Sequence, residues 1–436
     1  MIRWQILPAI VAALASLTPV GSAQSPPAQP LIAIRAGWLA DVVSGQILQN
    51  QTIIVRGERI EGVQPASAKI PAGARVIDLS RFTVTPGLID CHTHLAGDLQ
   101  SADVLQPLKR SGAQDVMLGA LHARQTLEAG FTTVRDVGTY RAFVDIALRD
   151  AINDGIVVGP RMAVAGAYIT VSTGGGEVTG MARDVVLPAD MRAGVANSPD
   201  EVRQRVREIL NAGADLIKII VTGAVLTNGT NPGVAEFNEE EIRAAVEEAN
   251  KYGVKVAAHA HGAEGIKKAV RAGVASIEHG SLIDDEGIRM MKEHGTYLVA
   301  DIFNGDYIDS VGKKTGWDAE IMRKNEETTD AQREGFRKAV AAGVAMAFGT
   351  DAGVYPHGQN ARQLPYMVRF GMTPMGALQA ATISAAKLIG WDDRIGSISP
   401  GKYADLIAVE GGGLGDLSRF SRVSFVMKSG VVVKGP

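Results

Sequence analysis

Four times the chain passes from a helix-like segment into a short apolar run through nearly the same junction: Ala129-Gly130-Phe131, Ala212-Gly213-Ala214, Ala272-Gly273-Val274 and Ala342-Gly343-Val344. Glycine there suits the left-handed residue that ends a helix. The helix ahead of the second junction is amphipathic, with Val202, Val206, Ile209 and Leu210 recurring on one face. A chain that repeats helix, glycine and buried strand is restricted to βα architecture. Candidate strands fall at 87–92, 132–136, 161–165, 216–220, 254–259, 276–279, 297–302 and 345–351. Eight of them over roughly 270 residues match the usual extent of a (β/α)8 TIM barrel. An open doubly wound sheet shares that rhythm and is the alternative.

The two ends of the chain differ from this middle. Short β-type runs at 32–36, 52–56, 60–63 and 75–78 are punctuated by Gly37, Gly57 and Gly73, and runs of the same character return at 405–409, 421–428 and 431–434. One small β-sandwich domain built from both chain ends is expected, with parts at 31–84 and 397–436 flanking a barrel at 85–396. Ahead of it, Arg3, an apolar stretch at 6–17 and Gly21-Ser22-Ala23 read as a signal peptide over 1–23, and the proline-rich 24–30 reads as a linker. The expected address is the periplasm or the exterior, with no membrane association after cleavage. Cys91 is the single cysteine, so no disulfide forms within the chain. A net charge of −3 with scattered basic residues gives no reason to expect nucleic acid.

In a barrel of this kind the chemistry gathers at the C-terminal ends of the strands. Those ends carry His92 and His94, Lys218, His259 and His261, His279 and Asp351. Side chains two apart on a strand point the same way, so His92 and His94 can share a metal ion, and so can His259 and His261. His259 closes the apolar run and is the better ligand; His261 is then placed to polarise a substrate carbonyl. Lys218 alternates with Ile217 and Ile219 and points inward, where a lone ammonium is costly. It either pairs with a buried carboxylate or reacts with CO2 to give a carbamate, an anionic oxygen ligand able to join two ions.

Thr85-Pro86-Gly87-Leu88-Ile89-Asp90-Cys91-His92-Thr93-His94, Lys218, His259, Ile277-Glu278-His279-Gly280 and Gly349-Thr350-Asp351 together resemble the amidohydrolase superfamily. Within it, the chain is similar to the branch of secreted dipeptidases and carboxypeptidases that includes prolidase-like and ochratoxin-hydrolysing enzymes. The resemblance implies two divalent metal ions, most often zinc. His92, His94 and Asp351 would hold one and His259 and His279 the other, bridged by carboxylated Lys218 and a hydroxide. It implies hydrolysis of the amide bond of a dipeptide or N-acyl amino acid, releasing a C-terminal amino acid. Asp351 would take a proton from the hydroxide and deliver it to the leaving amine. An esterase or lactonase using the same site, or a catalytically silent metal- or solute-binding protein, are the other readings.

Specificity should lie in the strand-to-helix connections. Residues 167–199, with Thr173-Gly174-Gly175-Gly176, are long enough to cover a site, and 303–330 mix aromatic and charged residues in a loop. His357, in Tyr355-Pro356-His357-Gly358, is a candidate substrate contact. Arg135 and Arg183 are candidates for a substrate carboxylate by position, whereas His122 and His294 read as ordinary helical residues. The expected partner is a small-molecule substrate, and a homo-oligomer is compatible with the sequence.

Overall fold

The computed structural model describes residues 29–97, 105–182 and 184–435. The signal-peptide reading, most of the linker and Arg183 lie outside the described residues. No helix among the described residues is long and apolar enough to cross a membrane.

The eight-strand expectation is met by a ring of parallel pairings. Leu88–Thr93, Phe131–Asp136 and Arg161–Val164 are joined in that order. The third strand then turns at Gly166, where φ is +74°, and its continuation Tyr168–Ile169 pairs with Ile217–Ile220. Val256–Gly262, Ser276–Leu282 and Tyr297–Val299 follow. The eighth position departs from expectation, because 345–351 is not a regular strand. It is held by single bridges, Leu298 to Met346 and Thr93 to Ala352, and by the Cys91 N–H donating to Phe348 O at 2.8 Å. At the end of the run Asp351 has a left-handed φ of +57°, where regular strand geometry cannot continue. These contacts nonetheless span the gap and close the barrel.

All four glycine junctions are left-handed at a helix end, as expected: Gly130 and Gly213, at φ of +99° and +103°, follow the caps Ala129 and Ala212, and Gly273 and Gly343, at +92° and +77°, are themselves the caps of Ala263–Ala272 and Ala319–Ala342. The 303–330 segment is not a loop. Helices Asn304–Thr315 and Ala319–Ala342 fill it, separated by left-handed Gly316 and restarted by Asp318, whose side chain accepts from the Glu320 N–H. Mixed aromatic and charged residues there mark amphipathic helices with one face on the site.

Both chain ends build one sheet of seven strands, ordered Val431–Lys434, Phe425–Lys428, Leu406–Glu410, Arg75–Pro86, Leu31–Asp41, Gln46–Arg56, Arg59–Pro65. The sheet rolls on itself: the Ile60 N–H donates to Lys402 O and the Ala404 N–H to Glu58 O, bringing its far edge back to the C-terminal strands. Ile34, Ile53, Leu79, Val84, Leu406 and Phe425 fill the inside. Each such side chain, fully removed from water, contributes roughly 1.5–3 kcal/mol. Arg75–Pro86 leads straight into the first barrel strand. At the joint a Cβ on Gly87 would lie 2.1 Å from Thr132 Oγ1, so glycine lets the two strands meet.

Candidate active site

His92, His94, Lys218, His259, His261, His279 and Asp351 all line one cavity at the C-terminal ends of the barrel strands. Their donor atoms form overlapping groups. Those of His92, His94 and Asp351 lie within 4.8 Å of one another, as do those of His259, His261 and His279, and those of His279, Asp301 and Asp351. Asp351 Oδ1 is 3.2 Å from His94 Nε2 and 3.5 Å from His92 Nε2.

A second layer of hydrogen bonds fixes the ring orientations. His92 Nδ1 meets Glu278 Oε2 at 2.9 Å, His94 Nδ1 meets Gly138 O at 2.7 Å, His279 Nδ1 meets Asp301 Oδ1 at 3.0 Å, and His261 Nδ1 meets Ser281 Oγ at 2.8 Å. With Nδ1 occupied in this way, Nε2 of each ring is left for the cavity, the pattern expected of metal-ligating histidines. Burial drives His92, His259 and His261 well below the usual histidine range, which favours the neutral imidazole in each. At His94 burial opposes the charge too, but the hydrogen bond and charge of Asp351 prevail and raise it.

Lys218 is buried, and its Nζ has no hydrogen-bond partner. Burial lowers its pKa to about 8, against the pull of Glu278. An ammonium paired with a carboxylate, the plainer expectation, is therefore not what the geometry presents. The nearby Glu278 is taken by His92 and by Arg135, whose NH2 group reaches Oε1 at 2.7 Å.

The site also contains residues that the strand-end reading passed over. Asp301 Oδ1 accepts from Gln332 Nε2 at 2.8 Å as well as facing His279, and Asp301 Oδ2 accepts from Asn304 Nδ2 at 2.7 Å. The same Asn304 Nδ2 reaches Asp351 Oδ2 at 3.1 Å. Asp301 follows the seventh strand, so the strand-end rule that points to the other cavity residues points to it as well. Glu278 sits beside His279 in a segment already singled out. Asn304 lies on a helix within the 303–330 segment expected to be a loop, and Gln332, just beyond that segment on Ala319–Ala342, carries no such signal. Backbone strain marks the same places: His279 and Asp351 have φ of +68° and +57°, conformations that non-glycine residues adopt at a cost and that cluster at functional sites.

The matches to known proteins agree with this geometry. Residues 83–435 match the family model described as "Amidohydrolase family". Ochratoxinase of Aspergillus niger is 33% identical over 418 residues, covering 90% of this chain and 84% of that protein. The chain belongs to the amidohydrolase family. A solved Xaa-Pro dipeptidase with bound methionine in its active site is 41% identical, with a TM-score of 0.88 over 93% of this chain and all of that one. A prolidase complexed with N-methylphosphonate-L-proline is 29% identical, with a TM-score of 0.86 over 93% and 100%. The prolidase and ochratoxinase branch of the amidohydrolases is thus its place in the superfamily, and these relatives support hydrolysis of an amide bond.

Two expected substrate contacts of this amidohydrolase are corrected by the geometry. Arg135 does not line the cavity. It lies beneath the site, its Nε donating to Cys91 O at 2.6 Å and its NH1 to Ser276 Oγ at 3.0 Å while NH2 holds Glu278. His357 does not line it either; its ring stacks on His122 with centroids 4.2 Å apart. His294 is exposed at a helix end, and His122 is buried with Nδ1 on Leu95 O, as ordinary helical residues would be. The 167–199 connection does reach the site, through Tyr168, Gly175 and Gly176.

Replacing Arg135 with methionine should cost about 3–5 kcal/mol, because it leaves fully buried Glu278 without its cation. Denaturant unfolding at pH 7 checks this, and a loss below 1 kcal/mol would show that Glu278 had already found another partner or a proton.

Proposed function

We propose that this amidohydrolase is an exported enzyme that cleaves the amide bond of dipeptides or N-acyl amino acids with two divalent ions, zinc by preference. His92, His94 and Asp351 would hold one ion, His259 and His279 the other, and carboxylated Lys218 both. The observation that carries the reading is the unpartnered Nζ of buried Lys218 among two sets of converging donors. A neutral amine in that position reacts with CO2 to give a carbamate and a proton, replacing a poorly solvated group by an oxygen ligand. Imidazole nitrogens and carboxylate oxygens without thiolate suit zinc. When bound, the ions supply Lewis acidity, lowering the pKa of water and drawing electron density from the scissile carbonyl.

The remaining roles belong to the chain. Asp351, with Oδ2 held by Asn304, keeps Oδ1 toward the two histidines of the first strand. From there it would accept the proton lost by the attacking water and hand it to the leaving nitrogen. His261, neutral through burial and steadied by Ser281, would donate from Nε2 to the carbonyl oxygen, Nδ1 accepting from the serine hydroxyl. Export rests on the apolar leader, and hydrolysis of esters or lactones is a second reading that the same donors permit.

The test combines metal content with turnover. Protein produced with zinc and bicarbonate should hold about two ions per chain and release a free amino acid from a mixed dipeptide library. One ion or none under saturating conditions would remove Lys218 from the ligand set; two ions without amino acid release would direct the search to esters and lactones.

A further inference from the structure

We infer that Leu226, Ile308 and Val354 form the subsite for the side chain of the released amino acid, and that this subsite selects an apolar, uncharged one. The inference rests on the proposed amide hydrolysis and adds the class of leaving group. All three residues line the cavity. They belong to one apolar cluster, backed by Trp317 and Ile321, in which Val354 and Ile308 are buried and Leu226 is half-buried.

The wall stands on the leaving-group side. Val354 donates its N–H to Asp351 O at 3.1 Å, and Ile308 lies one helical turn beyond Asn304, whose amide holds Asp351 Oδ2. A nitrogen protonated by Asp351 would therefore leave with its substituent against these side chains.

Charge decides the selectivity. Apart from the histidines, the ionisable side chains lining the cavity among the described residues are Lys218, Asp301, Asp351 and two tyrosines, Tyr140 and Tyr168. Asp301 has both oxygens engaged by His279, Gln332 and Asn304, and Asp351 faces His92, His94 and Asn304. Among the described residues, a lysine or arginine side chain arriving at the wall would find no free carboxylate to replace its water, and burying that charge unpaired is costly.

The wall is also fixed before substrate arrives. Lys324, buried on helix Ala319–Ala342, donates to Thr227 O at 2.8 Å and pairs with Glu320 at 2.6 Å, and Glu320 accepts the Gly229 N–H at 2.9 Å. Thr227 Oγ1 donates to Gly175 O at 2.7 Å. The connection carrying Leu226 is thereby stapled to a helix on one side and to the 167–199 segment on the other, so little ordering is left to be done on binding.

The experiment compares N-acetyl-leucine, N-acetyl-methionine and N-acetyl-phenylalanine with N-acetyl-lysine and N-acetyl-arginine on the zinc-loaded enzyme. It is run alongside calorimetric binding of free leucine and free lysine. The apolar set should exceed the charged set in kcat/KM by about 100-fold, and leucine should bind where lysine does not. Ile308→Asp should move the arginine-to-leucine ratio toward arginine by at least about tenfold; Leu226→Asp, at the half-buried position, serves if the first variant does not fold. Lysine binding as tightly as leucine, or an unmoved ratio in a folded variant, overturns the subsite. Selective leucine binding that Ile308→Asp reverses, with no N-acyl amino acid turned over, upholds the subsite and removes the amide-hydrolysis reading instead.

Discussion

Lys218→Ala should lose at least about 10³-fold in kcat, equivalent to about 4 kcal/mol of transition-state stabilisation, and should fall from about two bound ions per chain to fewer than one. The structure gives the reason in terms of solvation. Lys218 Nζ is buried without a partner, so as an amine it contributes nothing that would hold it there. The same atom carrying a carboxylate would become a second anionic donor beside Asp351 in a set otherwise made of imidazoles. Removing the amine removes the only place for that group. The control is chemical: formate or acetate supplied to Lys218→Ala should restore part of both the metal and the rate. Lys218→Met preserves bulk and discards the amine, and should behave like the alanine variant without rescue, because its side chain fills the space a carboxylate needs. Full activity and full metal in either variant would return Lys218 to the role of a buried structural amine.

Asp351→Asn should lower kcat by about 10²–10⁴-fold, the range expected when a positioned proton carrier is lost, with a much smaller change in KM. The amide oxygen of asparagine keeps a donor near His92 and His94, so metal occupancy should fall less than in the Lys218 variants. Leaving-group chemistry separates the two functions of this residue. An ester or anilide whose leaving group needs no proton should recover much of the lost rate. If amide and activated ester decline equally, Asp351 acts only in holding the ion, and the proton passes through another group.

The sequence shows the site more fully than it shows what supports the site. His92, His94, His259, His279 and Asp351 are legible because each stands at the end of an expected strand, and strand ends in such a barrel face a common centre. Lys218 could be read because an inward lysine between isoleucines contradicts its surroundings. The supporting contacts had no equivalent signal. Glu278 and Arg135 form a pair 143 positions apart, and neither residue alone indicates which face of the barrel it occupies. Arg135 was drawn toward a substrate role by its position at a strand, yet the strand's alternation places its guanidinium below the histidines. Asn304 sits on a helix within 303–330, whose mixture of charged and aromatic residues resembles a surface loop, and Gln332 stands beyond it on a helix far from any strand end. The strand at 345–351 is legible as an apolar run, but its reduction to single bridges and the left-handed backbone of Asp351 at its end are not encoded in composition.

The rolled sheet has a consequence for how the molecule is made. Arg75–Pro86 is bordered on one side by Leu31–Asp41, close to it in sequence, and on the other by Leu406–Glu410, more than three hundred residues later. During synthesis, the first four strands therefore emerge long before the partner of that edge exists. An open edge of this kind is a template for pairing with other chains, and joining ends so far apart is slow. The whole barrel must be threaded out before its own foundation can be finished, so the last thirty residues act as a latch: until they arrive the nascent chain is exposed to self-association, and cutting them away should trap it as aggregate rather than as a smaller enzyme.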